Sequence, residues 1–171
     1  MIVWINGPFG VGKTTLACHL HGLIPGSVVF DPEMIGTYVQ WLQPLSPGED
    51  YQDRPIWRSM TSAGIRLVHL TQGGTIIVPM TLVNAGYLKE IHQRISHDGR
   101  DIVHVFLDTD EPTIRERIER DTVECGAREW RLAQLQRCLA ARSSMPGSTI
   151  LLDTRGQTPD TLAKTVATMV A

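Results

Sequence analysis

Short apolar runs alternate along this chain with longer segments of helical period, a pattern typical of repeated strand–helix units around a parallel sheet. The runs predicted to be strands cover residues 2–6, 27–30, 75–79, 102–107 and 149–152. The third has the continuous apolar character expected of a strand covered on both faces. The sequence therefore predicts a three-layer α/β fold, in which helices cover both sides of a doubly wound, parallel five-stranded sheet.

The segments between these runs are predicted to be helices. They cover about 13–23, 32–42, 55–71 and 84–97, a helix that begins at 110–112, one that ends near 143, and a last one after Pro159. The face of the 55–71 helix that is expected to be buried carries Ile56, Met60, Ala63, Leu67 and Leu70. A length of 171 residues suits one compact unit, so residues 1–171 are expected to form a single domain.

A glycine-rich turn directly follows the first strand and reads Gly7-Pro8-Phe9-Gly10-Val11-Gly12-Lys13-Thr14. It matches the phosphate-binding pattern GxxxxGK[ST] at every fixed position. Backbone N–H groups of such a loop point at phosphate oxygens, and the following helix adds the positive end of its dipole. Lys13 is expected to bridge the β- and γ-phosphates of ATP, Thr14 to take one position on Mg²⁺, and Thr15 to reach the α-phosphate. A chance match has odds on the order of 1%, so the loop is interpreted as an ATP site.

Composition and charge argue against several other classes of protein. The formal net charge of −2 provides no basic field for nucleic acid or an anionic membrane. No run approaches the ~20 apolar residues of a membrane span. Cys18, Cys125 and Cys138 lack metal-ligand spacing and suit a reducing compartment. The first residues lack the basic start of a signal peptide, so a cytoplasmic location is expected.

Other motifs narrow the class of phosphate-loop protein. The chain has no NKxD sequence for guanine, and the DxxG match at 153–156 lies too near the C-terminus for a GTPase switch. The 75–79 strand ends without the carboxylate that motor-type ATPases place there for Mg²⁺. Asp31, at the end of the second strand, is the nearest replacement, because ligands of such sheets bind at the carboxyl ends of strands beside the switch point.

The segment from 105 to 137 resembles the lid region of nucleoside-monophosphate and shikimate-type kinases, with the lid itself at about 121–130. The arginines expected to converge on the transferred phosphoryl group are Arg117, Arg120, Arg128, Arg131 and Arg137. Among them, Arg117 and Arg137 are assigned catalytic roles, and Arg120 is assigned to the nucleotide. The alternative is a solvated helix whose arginines pair with the neighbouring glutamates Glu116, Glu119 and Glu124.

The remaining candidates lie on the two sides of the phosphate loop. Arg155, after the last strand, is expected to stack on adenine, although the same loop also has the sequence of an ordinary turn with Thr158 as a helix N-cap. Asp31 is expected to orient the attacking hydroxyl or hold Mg²⁺, and Glu33 to bind acceptor hydroxyls. Helix capping by both acids is the alternative. Arg58 is expected either to clamp the acceptor or to lie on the surface.

Blocks of sequence spread over nearly the whole chain resemble the tunicamycin-resistance proteins. They are Trp4-Ile5-Asn6-Gly7, Phe30-Asp31-Pro32-Glu33-Met34, Trp57-Arg58, Ile77-Val78-Pro79-Met80-Thr81, and Trp130 with Gln134 and Arg137-Cys138. The resemblance implies an ATP-binding P-loop protein that protects against tunicamycin, a uridine-containing antibiotic, by phosphorylating the drug or a nucleotide-sugar-like compound. Two other functions stay open: ATP-dependent sequestration of the drug without chemistry, and a housekeeping nucleoside or sugar kinase.

Overall fold

The computed structural model describes residues 1–46, 48–96, 99, 101–123 and 125–170. Within them, one sheet is formed by β1 (Ile2–Asn6), β2 (Val28–Val29), β3 (Ile76–Pro79), β4 (Ile102–Asp108) and β5 (Ile150–Asp153). Each neighbouring pair of strands is parallel, and the order across the sheet is β2-β3-β1-β4-β5. The predicted parallel five-stranded sheet is confirmed, with β2 shorter than the predicted 27–30.

The helices of the described residues follow the predicted alternation. They are α1 (Lys13–Leu23), α2 (Pro32–Leu42), α3 (Pro55–Gln72), α4 (Ala85–Ser96), α5 (Glu111–Arg120), α6 (Arg128–Ala133), α7 (Leu135–Ala141) and α8 (Pro159–Met169). The end of the predicted 84–97 helix falls on His97, which lies outside the described residues. The segment predicted as one helix to about Ser143 is divided at Gln134 into α6 and α7.

Both faces of the sheet are covered, which completes the predicted three layers. Alternate residues of β1 point to opposite faces, as the strand pleat requires. Ile2 and Trp4 pack into a core with side chains of α2, α3 and α4. Val3 and Ile5 pack into a second core with side chains of α1 and α8. β1 is fully buried because it lies between these two cores.

The predicted buried face of α3 is wrong. Ile56, Leu67 and Leu70 are 42%, 62% and 74% exposed, whereas α3 buries Trp57, Arg58, Thr61, Ser62 and Ile65. Neighbouring elements fix this rotation of the helix. The Trp57 indole Nε1 donates to the Pro32 carbonyl at 3.1 Å, and a Cβ at Gly64 would lie 2.7 Å from the Phe30 ring. These tertiary contacts outweigh the apolar period of the helix.

A small third cluster connects the arginine-bearing helices to the phosphate loop. Ile114 and Ile118 of α5 pack with Leu135 of α7, and Phe9 of the loop packs against them. The Phe9 ring also meets the Trp130 ring of α6 edge-on, with centroids 5.2 Å apart. Because these contacts are apolar, they hold α5, α6 and α7 beside the loop without using the polar groups needed for a ligand.

Candidate active site

The phosphate loop lies at the switch point of the sheet, after the carboxyl end of β1. Gly7, Gly10 and Gly12 have φ angles of +138°, +75° and +102°. At Gly7 the constraint is steric as well, because an added Cβ would lie 2.5 Å from the Leu107 carbonyl oxygen. Only glycine satisfies both conditions. The sequence requirement for glycine at this position therefore follows from the close approach of the loop to β4.

Asn6 anchors the start of the loop. Its fully buried side-chain Oδ1 accepts from the Gly7 N–H at 2.8 Å and from the Leu82 N–H at 2.9 Å, while its Nδ2 donates to the Leu82 carbonyl at 2.8 Å. The Thr81 hydroxyl donates to the Gly7 carbonyl at 3.1 Å. The chain after β3 thus fixes the first residue of the loop. The sequence analysis did not assign Asn6 to the site, and its only signal was one polar residue at the end of an apolar strand.

The Lys13 side chain is buried and contacts other residues of the phosphate loop. It is 8% exposed, its Nζ donates to the Pro8 carbonyl at 2.8 Å, and it lies 5.5 Å from the centroid of the Phe9 ring. α1 begins at Lys13, so its first-turn N–H groups face the same space. Inward amides, an ammonium group and a helix N-terminus together suit a phosphate chain.

A cavity of about 540 Å³ opens in front of the loop, and most of the predicted site residues line it. Its lining includes Lys13, Thr14 and Thr15 from the loop side, Asp31 and Glu33 from α2, and Arg117, Arg120 and Arg131 from α5 and α6. The Thr14 hydroxyl and the Asp31 carboxylate are oxygen ligands of the kind that Mg²⁺ prefers alongside nucleotide phosphates. In the part of the chain that the structure describes, no cluster of three or more His, Cys, Asp or Glu side chains suits a metal. A Mg²⁺ ion here would thus take further ligands from phosphate oxygens and water.

Asp31 has a structural contact in addition to its place at the cavity. It is the N-cap of α2, and its Oδ1 accepts from the Glu33 N–H at 2.9 Å. The predicted capping by Asp31 is therefore present. A carboxylate fixed at one oxygen by a cap has a defined orientation, which suits a group that must orient a ligand.

The arginines divide into three arrangements. Arg117 Nη1 donates to the Val11 carbonyl at 3.3 Å. Arg120 pairs with Glu116 at 2.8 Å on an exposed face, as the alternative interpretation predicted, and Arg131 is buried and pairs with Asp121 at 2.7 Å. Arg137 is placed apart, since it donates to Gln134 at 3.3 Å and lines a separate small cavity.

Arg128 is the remaining member of the predicted arginine cluster. Arg128 Nη2 donates to the Asp121 carbonyl at 3.2 Å, so Asp121 is bonded to both Arg128 and Arg131. Glu124, which the alternative interpretation paired with an arginine, lies outside the described residues. Residues 121 and 123 line the cavity in front of the phosphate loop.

A second cavity, of about 260 Å³, lies on the other side of the loop, where the adenine of a bound nucleotide is expected. Its lining includes Arg117, Thr154, Gln157 and Pro159. The Thr154 hydroxyl is buried, and no hydrogen-bond partner for it is present among the described residues. Arg155 instead turns to Asp153, with an Nη2–Oδ2 distance of 2.6 Å. The structure therefore places Arg117, rather than Arg155, at the expected base cavity.

The Asp153–Arg155 pair also changes the pKa of the Asp153 carboxyl. Hydrogen bonds from the Arg155 side chain and backbone lower the pKa of the exposed Asp153 carboxyl. The alternative interpretation of this loop is present as well, because the Thr158 hydroxyl accepts from the Thr161 N–H at 3.2 Å and caps α8.

Arg58 does not lie at the site. It is 8% exposed, its Nε donates to Glu90 at 2.6 Å and its Nη1 donates to the Gln52 carbonyl at 2.7 Å. Its guanidinium carbon also stands 4.1 Å from the centroid of the Tyr87 ring. Arg58 therefore connects α3 to α4 and to the 3₁₀ turn at 51–53, so the structure supports neither a clamp on the acceptor nor a surface position.

The structure adds residues to the acceptor side that the sequence did not suggest. Tyr51 and Trp130 line two cavities beyond Glu33, and Asp50 lines one of them. Burial raises the pKa of the Asp50 carboxyl, against the hydrogen bond from the Gln52 N–H, and burial also raises the pKa of the Tyr51 phenol. The only sequence signal was that Trp130 belongs to the blocks shared with the tunicamycin-resistance proteins.

The sheet order and a phosphate loop between β1 and α1 define a nucleotide-binding P-loop domain of the kinase type. The chain belongs to the AAA domain family, whose model matches residues 2–145. No curated protein matches the chain. Among the described residues, no helix has the length and apolar character needed to cross a membrane.

Solved structures of P-loop proteins agree with this class. The tunicamycin resistance protein of Deinococcus radiodurans is 29% identical, with a TM-score of 0.71 over 99% of this chain and 94% of its own. A sugar kinase from a Janibacter species is 21% identical, with a TM-score of 0.74 over 99% and 93%. The shikimate kinase of Acinetobacter baumannii is 17% identical, with a TM-score of 0.59 over 99% and 92%. The resemblance expected from the sequence is confirmed by the first, and the kinase-type fold by all three.

Proposed function

We propose that this protein is a kinase that transfers the terminal phosphoryl group of ATP to a hydroxyl group of a tunicamycin-like or nucleotide-sugar-like small molecule. The observation that carries the proposal is the cavity in which the phosphate loop faces Asp31 and Glu33. The likeness to the tunicamycin resistance protein supports the acceptor, and the likeness to a sugar kinase supports the chemistry.

Several residues of the cavity have a role in this proposal. Bound ATP and Mg²⁺ supply the phosphoryl group and neutralise part of its charge. The Lys13 ammonium and the loop amides would hold the β- and γ-phosphates, Thr14 would hold the metal, and Arg117 would stabilise charge on the transferred group. The Asp31 carboxylate would either hold Mg²⁺ or orient the acceptor hydroxyl and take its proton. Arg137 lines a small cavity together with Asp50. It is therefore assigned to the acceptor side instead of the transferred group.

We further propose that residues at about 121–130 act as a lid. Asp121 and Val123 line the cavity, yet the Val123 side chain is 90% exposed. An apolar side chain at the rim of a phosphate site gains contacts when the rim closes over a ligand, and closure excludes the water that would hydrolyse ATP. The free thiols of Cys18, Cys125 and Cys138 support the proposed cytoplasmic location.

The proposal is tested by mass spectrometry of tunicamycin after incubation with the protein, ATP and Mg²⁺. The drug is expected to gain one phosphate, and Lys13→Ala is expected to lower turnover by at least 10²-fold because it removes the charge on the β- and γ-phosphates. Lys164→Ala, at an exposed position of α8, is the matched control and should behave as wild type. Asp31→Asn should retain ATP binding and lose transfer.

Two outcomes would replace this function. Unmodified tunicamycin that co-purifies with the protein would favour sequestration, an alternative supported by the absence of a carboxylate among the described residues at the end of β3. ADP release with a simple sugar or nucleoside, and none with tunicamycin, would favour a housekeeping kinase. Wild-type ATP binding and turnover in Lys13→Ala would overturn the assignment of the phosphate loop.

A further inference from the structure

Two more cavities continue from the cavity of the phosphate loop, in the direction away from Lys13. The near acceptor cavity has a volume of about 450 Å³ and shares Phe9, Glu33 and Arg131 with the phosphate cavity. The far acceptor cavity has a volume of about 320 Å³ and shares Tyr51 and Trp130 with the near one. Because each cavity shares wall residues with the next, the three lie side by side in a row that begins at the phosphate loop.

The size of this space indicates a long acceptor. Pockets for drug-sized ligands range over roughly 300–1,000 Å³, and each of the two acceptor cavities alone falls within that range. An acceptor of one ring, phosphorylated at a hydroxyl near Asp31, would occupy part of the near cavity and leave the far one to water. A molecule with at least two joined units would fill both.

Aromatic side chains form the boundary between the two cavities. The Tyr51 ring is held in place by the Trp57 ring, at a centroid distance of 5.5 Å, and by Gly36, where an added Cβ would lie 2.7 Å from it. The Trp130 ring is supported edge-on by Phe9 and stays 41% exposed. Rigid aromatic faces bind planar rings and the apolar faces of sugars, because such contacts need little ordering of the protein.

The charges of the two cavities favour an uncharged molecule. Carboxylates line both, with Glu33 beside Arg131 in the near cavity, and Asp50 and the Arg54-paired Glu49 in the far one. Phosphate or carboxylate groups bound there would be desolvated beside charges of their own sign, which is the kind of contact that rejects a ligand.

The arginines near the two cavities are bonded to other groups of the protein, most of them to carboxylates. Arg131 pairs with Asp121 at 2.7 Å, and Arg54 pairs with Glu49 at 2.8 Å. Arg58, the predicted clamp, pairs with Glu90 at 2.6 Å and is buried away from both cavities. Arg137 lies in the small cavity beside Asp50, where burial raises the pKa of that carboxyl and the charge of Arg137 only partly opposes the rise. None of these guanidinium groups is placed as a dedicated anion clamp in the near or far cavity.

We propose that the near and far acceptor cavities bind an uncharged acceptor of at least two joined ring units, and that their carboxylates reject acceptors that carry phosphate or carboxylate groups. A hydroxyl-bearing unit lies at Glu33, and a planar or apolar unit lies between Tyr51 and Trp130. The proposal rests on the proposed function, and it narrows the acceptor from tunicamycin-like or nucleotide-sugar-like compounds to the uncharged members of that group.

Calorimetry tests both parts, with a non-hydrolysable ATP analogue saturating the phosphate loop so that no probe binds there. Tunicamycin is expected to bind, and Trp130→Ala is expected to weaken its binding at least ten-fold, since stacking on one aromatic ring is lost. Trp41→Ala removes a 75% exposed tryptophan from α2 and is expected to change binding less than two-fold. Trp130→Phe, which keeps a ring, should retain most of the affinity.

The proposed rejection of anionic acceptors is tested with uridine and uridine 5′-monophosphate, which differ by one phosphate. Uridine is expected to bind at least ten-fold more tightly. The Glu33→Gln/Asp50→Asn variant should reduce this preference several-fold. The Asp50→Asn change keeps a side-chain oxygen at the position that accepts from the Gln52 N–H at 3.0 Å, so the turn stays capped. Equal binding of the two probes, or tunicamycin binding that is unchanged in Trp130→Ala, would overturn the proposal.

The same experiments separate this proposal from the proposed function. Tunicamycin that binds with dependence on Trp130 and is never phosphorylated would support the cavity assignment and refute the kinase. Efficient phosphorylation of an anionic acceptor would support the kinase and refute the cavity assignment.

Discussion

Replacement of Asn6 by alanine is the sharpest test of how the phosphate loop is positioned. The wild-type side chain makes three hydrogen bonds to backbone groups, namely the Gly7 N–H, the Leu82 N–H and the Leu82 carbonyl. Asn6 is fully buried, so water does not replace these partners freely. Asn6→Ala would leave two donors and one acceptor unsatisfied at the junction of β1, the loop and the chain after β3.

The expected cost follows from this count. An unsatisfied buried group costs about 1–3 kcal/mol, and partial hydration of the small space left by the side chain lowers the total to about 3–5 kcal/mol. That is a large fraction of the ~5–15 kcal/mol by which a typical domain is stable. With a urea dependence of about 2 kcal/mol per molar, the unfolding midpoint should fall by about 2 M. Because the Gly7 amide is no longer held, ATP affinity should fall about ten-fold as well.

Urea unfolding followed by far-ultraviolet circular dichroism measures the first effect, and calorimetry with an ATP analogue measures the second. Asn84→Ala is the matched control. Asn84 Oδ1 also accepts from two backbone N–H groups, of Gly86 and Tyr87, but as a partly exposed cap of α4. Its loss should cost only about 1 kcal/mol and should leave ATP binding intact. An Asn6→Ala midpoint no lower than that of Asn84→Ala would refute the anchoring role.

Two further predictions concern the base cavity and pH. Arg117→Ala should weaken ATP binding at least ten-fold and Arg155→Ala less than two-fold, and calorimetry showing the reverse order would restore the base role to Arg155. Burial lowers the pKa of His92 to about 4 and of His104 to about 3, from 6.5 in the unfolded chain. The unfolded state therefore takes up protons first as the pH falls, and stability should decrease from pH 6.5 downward by up to about 1.4 kcal/mol per pH unit for each histidine. Urea midpoints between pH 7 and 5 measure this slope, which should be shallower in His104→Gln; an unchanged midpoint over that range would show that the histidines are not buried as neutral groups.

The parts of the fold that were predictable are those fixed by local sequence. The runs at 2–5 and 76–79 are apolar along their whole length, and the phosphate loop is fixed by glycines whose backbone angles other residues rarely adopt. The rotation of α3 was not predictable in this way. It depends on Trp57 and Gly64, which meet residues distant in the chain, and three polar residues on the buried face hide its period.

The same distinction applies to the site. Lys13, Thr14 and Asp31 could be placed from motifs, because the carboxyl ends of parallel strands meet at one edge of the sheet. The partner of Arg58 is Glu90 in another helix, and Tyr51 shares the lining of the acceptor cavities with Trp130 from a distant segment. Pairings between elements that are far apart in sequence have no periodic signal. The base cavity and the acceptor cavities could therefore be identified only from the structure.

The distribution of charge also bears on how a chain with a net charge of −2 would select the two ligands proposed for it. Positive groups, with Lys13 and Arg117 among them, are concentrated where a triphosphate would lie, while Glu49 and Asp50 line the far acceptor cavity. In the proposed function, a polyanion and an uncharged acceptor would thus be directed to different cavities and would meet near Asp31. Anionic molecules without a nucleotide base gain little at either end, because the loop end requires a phosphate chain and the far end repels it.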